Sequence, residues 1–484
     1  MPGPADRGVD RPRQNVAVSI RLRYAVFAAT LALAGSAYLA GALVSGDPAP
    51  TLRTDGLGST STAFRIGLLL WFLAGAALAF FWWRRGRTRA AILLGPLWAV
   101  PLWFAPPLAS RDVYAYACQG AIWLDGRDPY STGVADGGCA WVSSVPELWW
   151  HNPAPYGPLA IAVSGAAVAL ARAVTSDQAA QLAVALAALR LAAAAGLGLV
   201  VWGAVRLARD ARGALWLGVA SPLVAVHVIS GAHNDALMAG LVVAGLAVAR
   251  STTTRPTVLR ALGAGALVAA ACAVKITALP VLAFALLLLP YWRLRLISAV
   301  GALAAFAGLT AATGLGFGWL AALRGTGELQ QWTSIPTGVG MAVGYLLRAL
   351  GHPGAMSACV TTARALGFAA IAVIGLYALR RAWFGPPRLI VAACGWVLLA
   401  LALLGPVFYP WYALTALAVL ACAVSSWARP LALLVVVLTF LVLPNGLGIA
   451  VLTKGPGAFL DLAIVIGLAV WAVRSAAAGS RAPA

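Results

Sequence analysis

Residues 63–89 are AFRIGLLLWFLAGAALAFFWWRRGRTR, an apolar run over 63–83 closed by Arg84, Arg85, Arg87 and Arg89. A helix rises about 1.5 Å per residue, so a run of this length crosses a hydrocarbon layer of about 30 Å. Arginines placed just beyond such a run stay on the cytoplasmic side. Working outward, the same pattern recurs near 22–44, 90–109, 158–174, 181–206, 213–230, 235–250, 258–274, 277–292, 296–317, 364–383, 388–405, 411–428, 430–448 and 457–473. Repetition on this scale predicts an all-α, multi-pass membrane protein, a helical bundle of about 14 spans.

Composition agrees. Of 484 residues, 62% are hydrophobic and 10% charged, and the mean hydropathy is +0.89. A soluble domain carries roughly 25% charged residues, so a soluble enzyme, a disordered chain and a coiled coil are excluded. The 34 basic against 14 acidic residues give a net charge of +20. In a soluble protein that surplus suggests nucleic acid. Here it sits in short links between apolar runs and accompanies no reading module, so no nucleic-acid partner is expected. Residues 1–23 are polar and basic, and the run that follows is too long for a signal-peptide core, so an uncleaved first span with a cytoplasmic start is expected.

The basic links set a topology. With the N-terminus inside, 84–89 falls inside and the long polar stretch 110–155 outside. The links at 206–212, 250–260, 293–295, 380–388, Arg429 and Arg474 then share the inner face. Residues 231–235, Lys275, 319–336, 405–412 and 445–456 share the outer one. Two segments break the alternation. Residues 337–350 are short enough for a re-entrant half helix, whereas 158–174 has no simple place. The domain expectation is a basic cytoplasmic tail over 1–21, one transmembrane domain over 22–474 and a cytoplasmic tail over 475–484. Its outer loops are 110–157, 319–337 and 405–412, and no soluble domain is expected. Nearly every polar cluster able to do chemistry thus lands on one face. A transporter concentrates such groups in mid-helix instead.

On that face Asp112 leads, in Ser110-Arg111-Asp112-Val113-Tyr114. It suits either an N-cap of a short helix over 112–124 or a general base. Asp128, in Gly126-Arg127-Asp128-Pro129-Tyr130, suits a turn. His151 and Tyr156 flank a stiff Pro-rich segment, His151-Asn152-Pro153-Ala154-Pro155-Tyr156. In Gly231-Ala232-His233-Asn234-Asp235, Asn234 or Asp235 suits a helix cap, while His233 beside Asp235 exceeds what capping needs. His227, one turn earlier, suits a satisfied buried histidine. Lys275 interrupts an apolar stretch and calls for an anionic partner such as a lipid phosphate, or for snorkelling. Trp332 and Trp411 flank outer loops and suit stacking on sugar faces, while Trp82, Trp83, Trp292 and Trp427 suit the interfacial belt. Cys118 and Cys139 share the 110–155 loop, either as free thiols or as a pair if the loop is extracytoplasmic.

The sequence has no phosphate-binding Gly-rich motif, dinucleotide fingerprint, zinc-protease motif or nucleophile elbow. A lipid-linked donor is therefore expected instead of a nucleotide sugar. A phosphate monoester leaves without a general acid, so cations plus one carboxylate suffice. Glycoside hydrolysis would want two flanking carboxyls.

Ser110-Arg111-Asp112-Val113-Tyr114, Asp128-Pro129-Tyr130, Asn152-Pro153-Ala154-Pro155-Tyr156-Gly157-Pro158, Gly231-Ala232-His233-Asn234-Asp235 and Tyr409-Pro410-Trp411-Tyr412 together resemble the GT-C class of glycosyltransferases. Within that class they resemble the actinobacterial polyprenol-phosphate-mannose-dependent α-1,6-mannosyltransferases of lipomannan biosynthesis. The resemblance implies a GT-C-like transmembrane bundle with a large first outer loop carrying the catalytic aspartate, Asp112. It implies a polyprenyl-phosphate mannose donor, a lipid-anchored α-1,6-mannan acceptor and inversion at the anomeric carbon. Arg111, Lys275 and His233 are then expected at the donor phosphate. Tyr114, Asp128, His151, Tyr156, Asn234, Asp235, Trp332, Tyr409 and Trp411 are expected around the substrates. No cofactor and no divalent metal are expected, since no compact ligand set appears. The site is expected in the cell membrane, facing the extracytoplasmic side. An arabinofuranosyl- or glucosyltransferase of the same class, or a lipid-linked glycan flippase or other transporter, are the alternatives.

Overall fold

The computed structural model describes residues 20–44, 60–88, 92, 100–250 and 257–479. Among these residues the secondary structure is helical apart from one bridge, Val442 with Gly448. Six described helices are long and apolar enough to cross a membrane: Thr62–Arg85, Gln178–Leu207, Trp292–Thr313, Pro353–Trp383, Pro387–Leu404 and Lys454–Ser475. A seventh span forms if Ala211–Gly218 and Pro222–Ser230, bent by 43°, are taken together. The bend is written at Ser221-Pro222. Proline lacks the N–H that would continue the ladder, and the Ser221 side chain restarts the helix by accepting the Val224 amide.

Six further apolar helices have 10–17 residues, and they mark where continuous apolar runs are cut. The run at 411–428 ends as helix Leu414–Ala423, with Ala428–Thr439 following it. The run at 277–292 becomes a 3-10 turn and Pro280–Leu288. The segments that broke the sequence-derived alternation are both helices, Pro158–Val174 and Ile335–Ala349. At 15 residues the second reaches roughly 22 Å, short of a full crossing. The run expected over 90–109 falls mostly outside the described residues, with 100–104 helical. Of the tail expected over 1–21, residues 1–19 lie outside them and 20–21 already open helix Ile20–Ala40; the end of the tail expected over 475–484 also lies outside.

Close packing depends on small residues. Helix Gln178–Leu207 packs along Asp235–Arg250, where Gly196 and Gly240 face each other so closely that a Cβ on either would strike the other helix's backbone. Without a hydrophobic driving force between helices in lipid, such approach supplies the van der Waals contact that holds them. Val258–Val274 packs on Trp292–Thr313, and Ile20–Ala40 on Thr62–Arg85.

The segment before Asp112 is clamped from three sides. Buried Arg190, on helix Gln178–Leu207, donates to the carbonyls of Trp103, Ala105 (2.7 Å) and Ser230 (3.2 Å). Ser230 Oγ accepts the Leu108 amide at 2.9 Å. Asn445 donates its amide to the Leu108 carbonyl at 2.8 Å. Asn445 sits at φ 69°, followed by Gly446 at φ 86°, a left-handed turn that asparagine and glycine tolerate best. Carbonyls left over at the end of a membrane run thus find donors inside the protein, as they must away from water.

Candidate active site

Asp112 is the first residue of helix Asp112–Leu124, not its N-cap. Arg111 occupies the cap position without a side-chain capping bond to the helix, and the Asp112 amide donates to Ser110 Oγ at 3.1 Å. The capping alternative is therefore corrected: the carboxylate turns away from its own helix end. Its Oδ1 accepts the Trp149 indole N–H at 3.3 Å, and its Oδ2 lies 3.9 Å from His233 Nδ1. Burial pushes its pKa up to about 6, opposed by the Trp149 hydrogen bond and the Lys275 charge and assisted by Asp235. The side chain keeps 16% exposure.

Lys275 caps the C-terminus of helix Val258–Val274. Its Nζ contacts both carboxylate oxygens of Asp235, at 3.1 and 3.3 Å, and stands 3.7 Å from the Tyr412 ring centroid. Its anionic partner inside the protein is thus Asp235, which engages the lysine and does not cap its helix. Asn234 does not cap either, because its Oδ1 is buried without a partner.

These groups border a cavity of ≈ 460 Å³, within the range of small-molecule sites. Asp235, Lys275, Trp149, Tyr156 and Tyr412 line one end. Phe368, Leu398, Leu401, Leu279 and Leu323 give the rest an apolar wall. Asp112 is joined to this wall through Trp149. Tyr156 packs edge-on against Tyr116 at 5.2 Å, and Tyr116 OH is 3.3 Å from His233 Nδ1.

His233 is fully buried and stacked on Trp411 at 3.9 Å, with Tyr409 stacked beyond it at 4.7 Å. Burial, with His227 and Lys275 nearby, holds its pKa well below the usual histidine range. The ring is closed off from the cavity, with Nδ1 3.9 Å from Asp112 Oδ2, so the structure places His233 beside Asp112 and not on the cavity wall. Ala232, just before it, sits at φ 50°, a left-handed conformation costing about 1–2 kcal/mol for a residue with a Cβ, and the turn aims the imidazole back into the bundle. His227 also departs from expectation: it is buried, but neither ring nitrogen has a hydrogen-bond partner among the described residues.

Other expected site residues take structural places. Arg111 is 2% exposed and donates to Asn445 Oδ1 (2.6 Å) and the Ser144 carbonyl (2.9 Å), away from the cavity wall. Tyr114 is buried and donates to the Ala42 carbonyl at 2.6 Å. Asp128 accepts the Tyr130 amide at 2.8 Å, a turn contact. His151 pairs with Asp136 at 2.8 Å, both well exposed. Trp332 donates to Thr453 Oγ1 at 3.0 Å in a separate cluster. Tyr409 and Trp411 do not line the cavity but pack against Tyr412, which does, at 5.9 and 6.2 Å, and Asn234 borders a separate void of ≈ 20 Å³.

Cys118 and Cys139 form a disulfide, closing the pairing question that the sequence left open. The bond fastens helix Asp112–Leu124 to the loop that supplies Trp149. Trp149, Tyr116 and Tyr412 were missed as site residues. Tyr116 lies four residues after Asp112, on the same helical face, so its placement was legible. Among the described residues no group of three or more His, Cys, Asp or Glu gathers as a metal-ligand set.

An all-helical membrane bundle with a clamped carboxylate, a lysine-carboxylate pair and an apolar-walled cavity defines a GT-C-like protein. Residues 23–291 match the family described as alpha-(1->6)-mannopyranosyltransferase, N-terminal domain, and residues 336–476 match the MptB C-terminal domain. The chain belongs to this alpha-(1->6)-mannopyranosyltransferase family. It is 32% identical over 375 residues to a Mycolicibacterium smegmatis protein named "Probable alpha-(1->6)-mannopyranosyltransferase", covering 69% of this chain and 64% of that one. It is 30% identical over 398 residues to an alpha-(1->6)-mannopyranosyltransferase of Mycobacterium tuberculosis, covering 69% and 65%. To alpha-(1->6)-mannopyranosyltransferase B of Corynebacterium glutamicum it is 28% identical over 451 residues, covering 84% and 73%. The chain thus spans just under two thirds of the first two relatives. No solved structure matches.

Proposed function

We propose that the protein is a membrane mannosyltransferase that moves mannose from polyprenyl-phosphate mannose to an α-1,6-mannan acceptor on the extracytoplasmic face. One observation carries the reading: a carboxylate with its pKa raised to about 6 stands beside a cavity whose polar end holds Lys275 and whose remaining wall is apolar. That division suits a donor with an anionic head and a hydrocarbon tail. The family and the names of its members support mannose as the sugar.

In this reading Asp112 takes the proton from the acceptor hydroxyl. The hydroxyl oxygen attacks the anomeric carbon, and the bond to the phosphate oxygen breaks with its electron pair. The polyprenyl phosphate leaves as an anion, and Lys275 exchanges one carboxylate contact with Asp235 for the phosphate. Single displacement inverts the β-linked donor to an α-linked product. Only one acid-base group is needed, and no divalent metal takes part. The Cys118–Cys139 bond supports an oxidising, extracytoplasmic placement for the loop.

The test is a membrane assay with radiolabelled polyprenyl-phosphate mannose and a short α-1,6-mannoside. Chelator-resistant transfer to the acceptor is expected. Label that crosses the membrane without forming a glycosidic bond would favour a transporter and overturn the reading.

A further inference from the structure

The bundle carries a second charged cavity at the end opposite Asp112. It has a volume of ≈ 110 Å³, and Arg87, Arg209, Asp210 and Arg388 line it together with the 421–424 segment. A single water needs only about 10–15 Å³, so the space admits a larger group. The chain path fixes which end this is. Arg87 precedes the apolar run that leads to Asp112. Arg209 follows helix Gln178–Leu207, whose other end accepts the Trp141 indole from the outer loop. Arg388 begins helix Pro387–Leu404, whose far end delivers the 405–412 segment to the active-site cavity.

Three arginines from three separate segments thus line one cavity with a single carboxylate. Asp210 spends its Oδ2 on Arg87 at 2.9 Å and its Oδ1 on the Gly213 amide at 2.9 Å. Arg388 Nε is anchored on the Ala423 carbonyl at 2.7 Å, which fixes its head at the pocket. Arg209 adds a further positive charge that Asp210 does not neutralise. The frame is rigid, because Trp82 and Trp216 stack at 4.6 Å and each donates its indole N–H to the other's carbonyl, at 3.0 and 3.1 Å. Trp202 with Arg206 stacked on it at 4.1 Å, and exposed Trp427, lie on the neighbouring helix ends. Such amphipathic rings sit at headgroup depth.

We propose that this pocket binds a phosphate-bearing anion, separate from any donor at the active site. Basic pockets between helix ends on the cytoplasmic side recognise phosphorylated lipid headgroups, and a soluble phosphate has the same chemistry.

The test measures thermal unfolding of the purified full chain in detergent, with phosphatidylglycerol, phosphatidylcholine or inorganic phosphate as probes. Arg209→Gln removes one charge from an exposed position, and Arg293→Gln serves as an exposed basic control elsewhere. Stabilisation by phosphatidylglycerol but not phosphatidylcholine is expected, with its apparent affinity reduced about fivefold in Arg209→Gln, the scale of one basic residue at an anionic surface, and unchanged in Arg293→Gln. The same pattern with inorganic phosphate alone would assign a soluble anion to the pocket. No stabilisation by either probe, or equal losses in the two variants, would overturn the proposal.

Discussion

Replacing Asp112 by asparagine separates chemistry from architecture. The amide oxygen can still accept the Trp149 indole, and no cap is lost, since Arg111 holds the cap position and no side chain caps the helix there. What disappears is the basic carboxylate. Its pKa rises from 3.8 to about 6 on burial, so the folded protein binds the proton more tightly than the unfolded chain does. The stability this confers is present below pH 3.8 and is lost as the pH rises through about 6. At neutral pH the ionised carboxylate therefore costs on the order of 3 kcal/mol, a cost the asparagine variant escapes. Asp112→Asn should unfold no earlier than the parent while turnover drops about 10²–10⁴-fold. The assay pairs mannose transfer with thermal unfolding of the same preparation. Near-parental turnover would refute Asp112 as the base. A joint loss of activity and unfolding temperature would refute the separation and make Asp112 a structural residue.

Trp149→Phe keeps a ring on the cavity wall but removes the hydrogen bond that lowers the Asp112 pKa. The acid limb of kcat/KM, near pH 6 in the parent, should move to higher pH. Lys275→Met strands the buried Asp235 carboxylate and should cost about 3–5 kcal/mol, read as a lower unfolding temperature. The double change Lys275→Met with Asp235→Asn should recover most of that stability but not transfer. Replacing Cys118 and Cys139 by serine opens a loop with a sequence separation of 21. It should lower stability by about 2–4 kcal/mol, and a reductant should reproduce the shift in the parent only.

The membrane class and most helices were legible because apolar runs are long and their basic ends conspicuous. The runs at 158–174, 258–274 and 388–405 reappear almost unchanged as Pro158–Val174, Val258–Val274 and Pro387–Leu404. Hydropathy alone could not show where a run is cut, as between Leu414–Ala423 and Ala428–Thr439, because both pieces are equally apolar. At the site, Asp112, Asp235 and Lys275 stood out as ionisable residues in apolar surroundings. Arg111 and Tyr114 share a motif with Asp112, yet their side chains leave the helix in other directions, to Asn445 and Ala42. Motif membership fixes a neighbourhood but not a direction. Lys275 and Asp235 lie 40 residues apart, and only the packing of their helices makes them partners.

The active-site cavity draws on both family segments. Asp112, Trp149, Asp235 and Lys275 fall within residues 23–291, whereas Phe368, Leu398, Leu401 and Tyr412 fall within 336–476. The charged pair of Asp235 and Lys275 thus lies on the first stretch, while much of the hydrocarbon lining comes from the second. Exchanging the second stretch between relatives would redraw much of the greasy wall and the ring against Lys275, yet leave Asp112, Asp235 and Lys275 in place. Lineages could alter which hydrocarbon tail fits without disturbing the proton chemistry, a modularity that neither stretch would display by itself.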